Sequence, residues 1–467
     1  MTDETRSAAF RRIPSIDALL ADPAVMGLID RFGREAAVGS ARATLDDVRA
    51  EIAAEGPAPD VSIAGLAGRL RDRLEKKFAP SLATAVNATG VIMHSGLGRA
   101  VLSGAAREAL ASVAAGYATL ALDLEAGKRV QRDRHVESLL CELTGAEAAT
   151  VANNNAAATV LILDTLARGK EVIVSRGQLV EIGGSFRMPD VMATSGAILH
   201  EVGTTNKTHL ADYERAMSEA TGAILRVHHS NYRIVGFADE PPIEALTALG
   251  HARGVPVIDD LGSGALVDLA RFGLASEPLV QASVRAGADV VCFSGDKLLG
   301  GPQSGIIAGR ADWVRKIRKN PLARAFRCGK LTLAALEATL KLFLAADTLT
   351  ERHPVYRMLA LTPNELGRRA RKLASALRKA LPVSATAEVE DGASQVGSGA
   401  VPVETLPTKI VALRSTTQTP EELARRLRFG TPPVFARVHR DAVLFDLRTI
   451  QPDEDRTVVR AVAGILR

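Results

Sequence analysis

No stretch of this 467-residue chain comes near the ~20 consecutive apolar residues of a membrane-spanning helix, so none is expected. The opening MTDETRSAAFRR carries acids and has no apolar centre, so no secretory leader is expected and the chain reads as soluble and cytoplasmic. Cysteine is scarce: Cys141, Cys292 and Cys328 lie far apart without CxxC spacing. That pattern predicts reduced thiols and argues against a zinc site or a disulfide framework, and no metal site is expected. Aromatic residues make up only 4%, so the core must pack with aliphatic and small side chains. Excess charge is small as well, +5 over the whole chain. Residues 1–80 hold 12 Lys/Arg against 13 Asp/Glu, which gives no electrostatic support for nucleic-acid binding there.

What the chain does have is enough apolar residue, 47%, for two or three domains. Pro14-Ser15 opens a helical stretch that breaks at Asp22-Pro23 and again near Gly33. Residues 43–55 have helix composition and stop at Gly56-Pro57, GPAPDVS reads as a linker, and 69–78 reads as a charged helix. We therefore expect a helical N-terminal domain over 1–60, a linker and helix over 61–85, a core over 86–345 and an α+β domain over 346–467.

From Val86 onward strands alternate with helical segments. Strands are expected at 171–175, 197–201, 223–228, 255–259 and 288–293, with helices near 189–195, 242–253 and 331–349. Such alternation means a mostly parallel sheet covered on both faces, with ligands off the carboxyl ends of the strands. The loops at those ends, NNNAAA, SRGQLVEIGG, HHSN, DDLGSG and SGDK, are polar or small. Asparagines and alanines at a helix start, as at 153–158, let backbone N–H groups approach a phosphate. VPVIDDLGSG sets Asp259 and Asp260 directly after a strand. An acid there is either a helix cap or the carboxylate that keeps a pyridine nitrogen protonated, and Gly262 leaves room for a flat ring beside Asp260.

Residues 287–305, GADVVCFSGDKLLGGPQSG, read as a buried strand, a turn of small residues and one lysine, Lys297, among glycines. Leu298 and Leu299 beside it predict partial burial. Desolvation lowers an amine's pKa and frees its lone pair to attack an aldehyde, as a pyridoxal phosphate lysine requires. Ser294, three residues earlier, is placed to reach the phosphate. Taken alone, SxxK between glycines fits a surface turn lysine at least as well. Just beyond, residues 310–330 hold eight Lys/Arg against Asp312, a net of +7 that marks a place where a polyanion is received. The basic helix at 368–379 reads instead as a solvated face. A hairpin is expected to turn at Arg440-Asp441.

Taken together, NATGVIMHSGLGRA, NNNAAA, SRGQLVEIGG, RMPDVM, HEVGTTNKTH, SNYRIVGF, DLGSGALVDL, SGDKLLGGPQSGII and LTLAALEATL resemble the bacterial selenocysteine synthase family, L-seryl-tRNA(Sec) selenium transferase. The resemblance spans nearly the whole chain, from ETRS…IPSIDALL to the closing FDLR. It implies an α/β fold of fold-type I, aspartate aminotransferase-like, with a mostly parallel sheet. It also implies Lys297 as the Schiff-base lysine of pyridoxal 5′-phosphate, Asp260 at the pyridine nitrogen, and Ser294 with Asn153, Asn154 and Asn155 at the phosphate. Ser230 or Asn231 falls near the ring hydroxyl. Arg99, Arg324 and Arg327 match the arginines that hold the selenium donor's phosphate, the last two on one helix face. One departure is Val130 in GKRVQRDRH, where glycine is expected, which weakens a role for Arg129 or Arg132.

The implied reaction turns seryl-tRNA(Sec) into selenocysteinyl-tRNA(Sec) with selenophosphate, through a cofactor-bound aminoacrylyl intermediate. Lys297 moves the Cα proton, and Asp296 or His94 helps the hydroxyl leave. The resemblance further implies tRNA recognition by the N-terminal helices and a homo-oligomer, a ring of dimers amounting to a decamer. Two rivals remain. One is a pyridoxal enzyme acting on a free amino acid, a β-eliminating lyase or a desulfurase with Cys328 as nucleophile. The other is a non-catalytic tRNA-binding protein on an inactive scaffold.

Overall fold

Three side-chain caps lay out the N-terminal helices. Ser15 accepts from the Ala18 N–H, Asp22 from Ala24 and Ser62 from Gly65, starting helices Ile16–Leu20, Pro23–Phe32 and Ile63–Phe78. Gly33, at φ +85°, ends the second of these and lets Arg34–Ala53 begin. The structure is a computed structural model describing residues 3–54, 57–184, 186–275 and 277–466, and it divides into units 1–84 and 85–467. Gly56, where the linker was expected to begin, lies outside the described residues. In the first unit Ala37, Ala41, Leu45, Val48 and Ile52 form one buried stripe, and Leu66, Leu70 and Leu74 another. The two pack together, so the helix expected beyond the N-terminal domain belongs to it. A 3.6-residue apolar stripe cannot stay solvated, and that outweighs the Pro- and Gly-rich loop before it.

Among the described residues the second unit contains a seven-stranded sheet, a five-stranded sheet and a two-stranded pair formed by its fourth and fifth strands. Its strands are β1 Val86–Ala88, β2 Ala148–Ala152, β3 Glu171–Ser175, β4 Glu181–Ile182, β5 Phe186–Arg187, β6 Ile198–Val202, β7 Thr221–Val227, β8 Val257–Gly262, β9 Val290–Ser294, β10 Gly305–Gly309, β11 Ala385–Ser394, β12 Leu406–Ser415, β13 Val434–His439 and β14 Ala442–Asp446. The seven-stranded sheet runs β2-β10-β9-β8-β7-β3-β6, parallel except for β10. Helices cover it, among them Asn155–Ala167, Ile243–Ala252 and Lys330–Phe343. Its strands β2, β8 and β9 are buried along nearly their whole length, as a sheet covered on both faces requires.

The five-stranded sheet runs β1-β13-β14-β12-β11, with the expected turn at Arg440-Asp441 between β13 and β14. Residues 86–88 were expected to open the core without forming a strand; as β1 they pair in parallel with β13 and belong to this second sheet. The FDLR segment explains the tie. Arg448 is 2% exposed and donates to the carbonyls of Met358, Leu361 and Pro407. Gly90 packs against Asp446, where a Cβ would stand 2.0 Å from a carboxylate oxygen. The loop that follows Gly90 carries His94 and Arg99, so this docking sets where those two side chains begin. Among the described residues no helix is long and apolar enough to cross a membrane.

Candidate active site

The carboxyl ends of β2, β3, β7, β8 and β9 face one side of the sheet, because those strands share a direction and β10 alone opposes them. Lys297 sits there at 6% exposure, in the turn between β9 and β10. Glycines let that turn fold on itself. Gly295 N–H donates to Ser304 O, Gly301 N–H to Gly295 O, and the turn crosses to β8 through Leu298 N–H to Ser263 O at 3.1 Å. Burial holds the Lys297 amine below its ordinary value; Asp260 opposes this, and Arg99 adds to it.

Asp260, 5% exposed, receives three donors: Asn155 Nδ2 at 2.9 Å, Thr159 Oγ1 at 2.9 Å and the Gly262 N–H at 3.1 Å. Burial still pushes its carboxyl up, against the pull of Asn155, Thr159, Gly262 and Lys297. Asp259 turns to the other side, fully buried, and pairs with Arg226 at 3.2 Å. A Cβ on Gly262 would stand 3.6 Å from Ser230 Oγ and 3.9 Å from Lys297 Nζ. Asp260, Lys297, Ser230 and bare backbone therefore share one space.

The three asparagines divide their work. Asn154 caps helix Asn155–Ala167, its Oδ1 accepting from the Ala157 N–H, and Asn155 donates to Asp260, so the Asn155 side-chain donor is not turned to a phosphate. The buried Asn155 Oδ1 has no partner within the protein. Asn153 is exposed, and its N–H donates to Phe326 O at 2.7 Å. Ser294 ends β9 at 6% exposure. Ser230 is 1% exposed, whereas Asn231 is exposed and donates to the Glu181 carbonyl, away from Lys297. Of these two residues, Ser230 is the one that borders the space beside Lys297.

Arg99 is joined to the site by an ion pair with Asp296, the neighbour of Lys297, at 2.7 Å. It holds a left-handed backbone, φ +64°, a conformation that costs a non-glycine residue about 1 kcal/mol. Arg324 and Arg327 do not share a helix face. The helix Leu322–Ala325 is one turn long, and Arg327 lies past it in extended pairing with Ala152. Both nevertheless line one cavity of about 440 Å³, with Arg129 and Arg132. Arg132 first, then partial desolvation, Arg324 and Arg129 hold the Arg327 guanidinium below its ordinary value. Arg318, also in the wall, is matched by Glu137 at 2.5 Å. Asp133 also lines the cavity, but four cations crowded beside one acid still make a standing place for an anion. The sequence reading discounted Arg129 and Arg132 for the valine between them; the loop brings them in regardless. Cys328 is no nucleophile here. Its Sγ donates to Ala152 O, and burial, then Asp133, pushes the thiol up to about 12.

His353 escaped the sequence reading altogether. It is fully buried, its Nε2 donates to Leu299 O at 3.0 Å, and its ring fills the space a Cβ on Gly300 would need. Burial lowers it to about 4, so it is neutral. A histidine held below its unfolded value stabilises fully above about pH 6.5 and loses that contribution as pH falls toward its folded value. Between about pH 6.5 and pH 5 the protein should lose about 2 kcal/mol more stability than His353→Gln, at 1.36 kcal/mol per pH unit. Denaturant unfolding across that range measures it; parallel curves would show that His353 is not buried neutral.

A seven-stranded sheet of this order, with one antiparallel strand and a buried lysine and carboxylate at the strand ends, defines the fold-type I class of pyridoxal phosphate-dependent enzymes. The solved structure of a D-glucosaminate-6-phosphate ammonia-lyase shares the fold, at TM-score 0.57 and 21% identity over 84% of this chain and 98% of that one. The chain belongs to the L-seryl-tRNA selenium transferase family, which matches residues 85–451. Residues 10–49 match the family described as selenocysteine synthase N terminal. The L-seryl-tRNA(Sec) selenium transferase of Geobacter sulfurreducens is 48% identical over 97% of this chain and 98% of its own. That of Methylocella silvestris is 48% identical over 95% of each.

Proposed function

We propose that the chain replaces the hydroxyl of seryl-tRNA(Sec) with selenium from selenophosphate, giving selenocysteinyl-tRNA(Sec), with pyridoxal 5′-phosphate at Lys297. The observation that carries this reading is the four-arginine cavity, tied through Asn153 to the turn whose Asn155 holds Asp260. An enzyme acting on a free amino acid has no need of a second anion site of that size, and a desulfurase would need the thiolate that Cys328 lacks.

The residues present fit the cofactor: a buried lysine and carboxylate facing one space, an unpartnered Asn155 Oδ1, and a glycine where a side chain would intrude. Lys297 would hold its aldehyde, Asp260 its ring nitrogen, and Ser230 its hydroxyl. Ser294 and the Asn153–Asn155 backbone would hold its phosphate. When bound, pyridoxal phosphate supplies an aldehyde for the substrate's amine and a ring that withdraws electrons from Cα. Lys297, its amine freed by burial, takes the Cα proton. Asp260 keeps a negative charge where the ring nitrogen must stay protonated. Asp296 is committed to Arg99, so the proton for the departing hydroxyl falls to His94, whose Nδ1 is buried without a partner. Arg324 and Arg327 receive the donor's phosphate in the cavity whose wall Arg129 and Arg132 complete, while Arg99, paired with Asp296, lies outside that lining.

Arg327→Ala should raise KM for selenophosphate about 10- to 100-fold, as loss of a charged hydrogen bond worth about 1.5–3 kcal/mol would, with a smaller change in kcat. An unchanged KM would move the donor elsewhere. Recognition of the tRNA body falls to the N-terminal helices, and a homo-oligomeric ring of dimers, a decamer, completes the reading. Its test is gel-shift binding to selenocysteine tRNA and to serine tRNA, with and without residues 1–84. A cut at 60 would strip Leu66, Leu70 and Leu74 from the N-terminal core. Selective binding lost on truncation is expected; equal or absent binding would return the enzyme to a free amino acid.

A further inference from the structure

We propose that the outer helical face of the C-terminal sheet is a second RNA-contact surface, receiving phosphates of the tRNA backbone. The inference rests on the tRNA substrate proposed above and adds where that tRNA's charge is met. Helices Pro363–Ala380, Pro420–Arg428 and Asp455–Leu466 pack on this sheet through Leu366, Leu373, Leu423, Leu427, Val458 and Val462. With those residues facing in, the helical period sends Arg368, Arg371, Lys372, Arg428, Arg456 and Arg460 to solvent, and all six are exposed. The three helices together carry 11 Lys/Arg against 4 Asp/Glu, a net of +7.

Three of those four acids are engaged. Asp455 pairs with Arg369 at 2.6 Å, Glu422 with Arg425 at 2.9 Å, and Glu365 closes the capping box at Thr362. The cations that remain are not scattered. One surface groove is lined by Lys372, Arg456 and Arg460, and a second by Arg426 and Arg460, with the Glu422-paired Arg425, beside Phe429, which is 79% exposed. Arg460 borders both, so the two grooves form one basic path with an aromatic face on its edge. Read by itself, the helix at 368–379 looked like a solvated face. The fold adds Arg456 and Arg460, about ninety residues further on, to the same surface.

The N-terminal unit does not carry a surplus of the charge that RNA binding draws on. Affinity for RNA comes largely from neutralising backbone phosphates and releasing their counterions. The N-terminal unit holds 12 Lys/Arg against 13 Asp/Glu, and Arg31, Arg69 and Arg73 are paired with Glu75, Glu51 and Asp47. Helices so balanced can read shape but supply little of that term. The four-arginine cavity is given to the donor.

The test uses the full-length holoenzyme and two triple variants at Lys372, Arg456 and Arg460, one with all three changed to Gln and one with all three changed to Glu. Dissociation constants for selenocysteine tRNA are measured from about 50 to 200 mM salt. The glutamine variant should bind at least about tenfold more weakly at the low-salt end, with a salt slope shallower by roughly 2, since each lost phosphate contact removes about 0.7–0.9. The glutamate variant should bind more weakly still. KM for seryl-tRNA(Sec) should rise in both, with kcat at saturation and thermal unfolding unchanged. An unchanged slope and affinity in both variants would overturn the surface. So would binding of anionic lipid vesicles that is lost in the variants while tRNA affinity holds. Failure of the wild-type protein to bind the tRNA at all would instead overturn the functional reading beneath it.

Discussion

Lys297→Ala is expected to abolish selenium transfer, by about 10⁴-fold or more, and to remove the visible absorbance of lysine-linked cofactor from the purified protein. The size follows from losing two tasks at once, the covalent hold on the cofactor and the proton transfer at Cα, the second alone worth about 10²–10⁴. The fold should survive. Nothing in the turn rests on the lysine's ammonium: Gly295 and Ser304, Gly301 and Gly295, Leu298 and Ser263, and His353 with Leu299 hold it through backbone atoms. Removing a buried amine even relieves a desolvation cost, since burial is the first cause lowering its pKa. The checks are turnover on seryl-tRNA(Sec), the absorption spectrum and the unfolding midpoint, taken on one preparation. An active variant with an intact spectrum would show that another amine holds the cofactor.

What could be read before the structure was whatever lies within one strand and its turn. Lys297 and Asp260 each follow a buried apolar run directly, and such runs mark the strand ends where an α/β sheet binds ligands. The parallel sheet was legible for the same reason. What could not be read was which turn faces which. Asn155 and Thr159 stand one helical turn apart and so share a face, but only tertiary packing points that face at Asp260. Arg327 is three residues from Arg324, a helical spacing, yet Asn153 captures the Phe326 carbonyl and the chain leaves the helix there. His353 reaches Leu299 from 54 residues away and carries no local signal. Strand β1 was not foreseen, because its partner, β13, comes near the other end of the chain.

Asp260→Asn is the sharper test of the electronic argument, because the surroundings can accept the amide. Asp260 Oδ1 takes the Asn155 Nδ2 and Gly262 N–H donors, and the asparagine carbonyl can keep both. Oδ2 accepts from the Thr159 hydroxyl, and the Cys292 thiol also lies against the carboxylate. That hydroxyl also lies 2.9 Å from Asn155 O, so it can turn its proton there and accept from the new NH₂. The substitution thus removes a charge while leaving size and hydrogen bonds in place, and stability should change little, since burial already disfavours the ionised acid. Catalysis should not be spared. A neutral amide gives the ring nitrogen no reason to keep its proton, and the pull on Cα electrons weakens with it. We expect cofactor still bound at Lys297 but turnover lower by about 10²–10³-fold, the range seen when one preorganised electrostatic partner is lost. Asp260→Glu should do less well than its charge suggests, because an added methylene has no room among donors fixed about 3 Å from the carboxylate. Near-normal turnover in the asparagine variant would show that charge at this position is not what activates Cα.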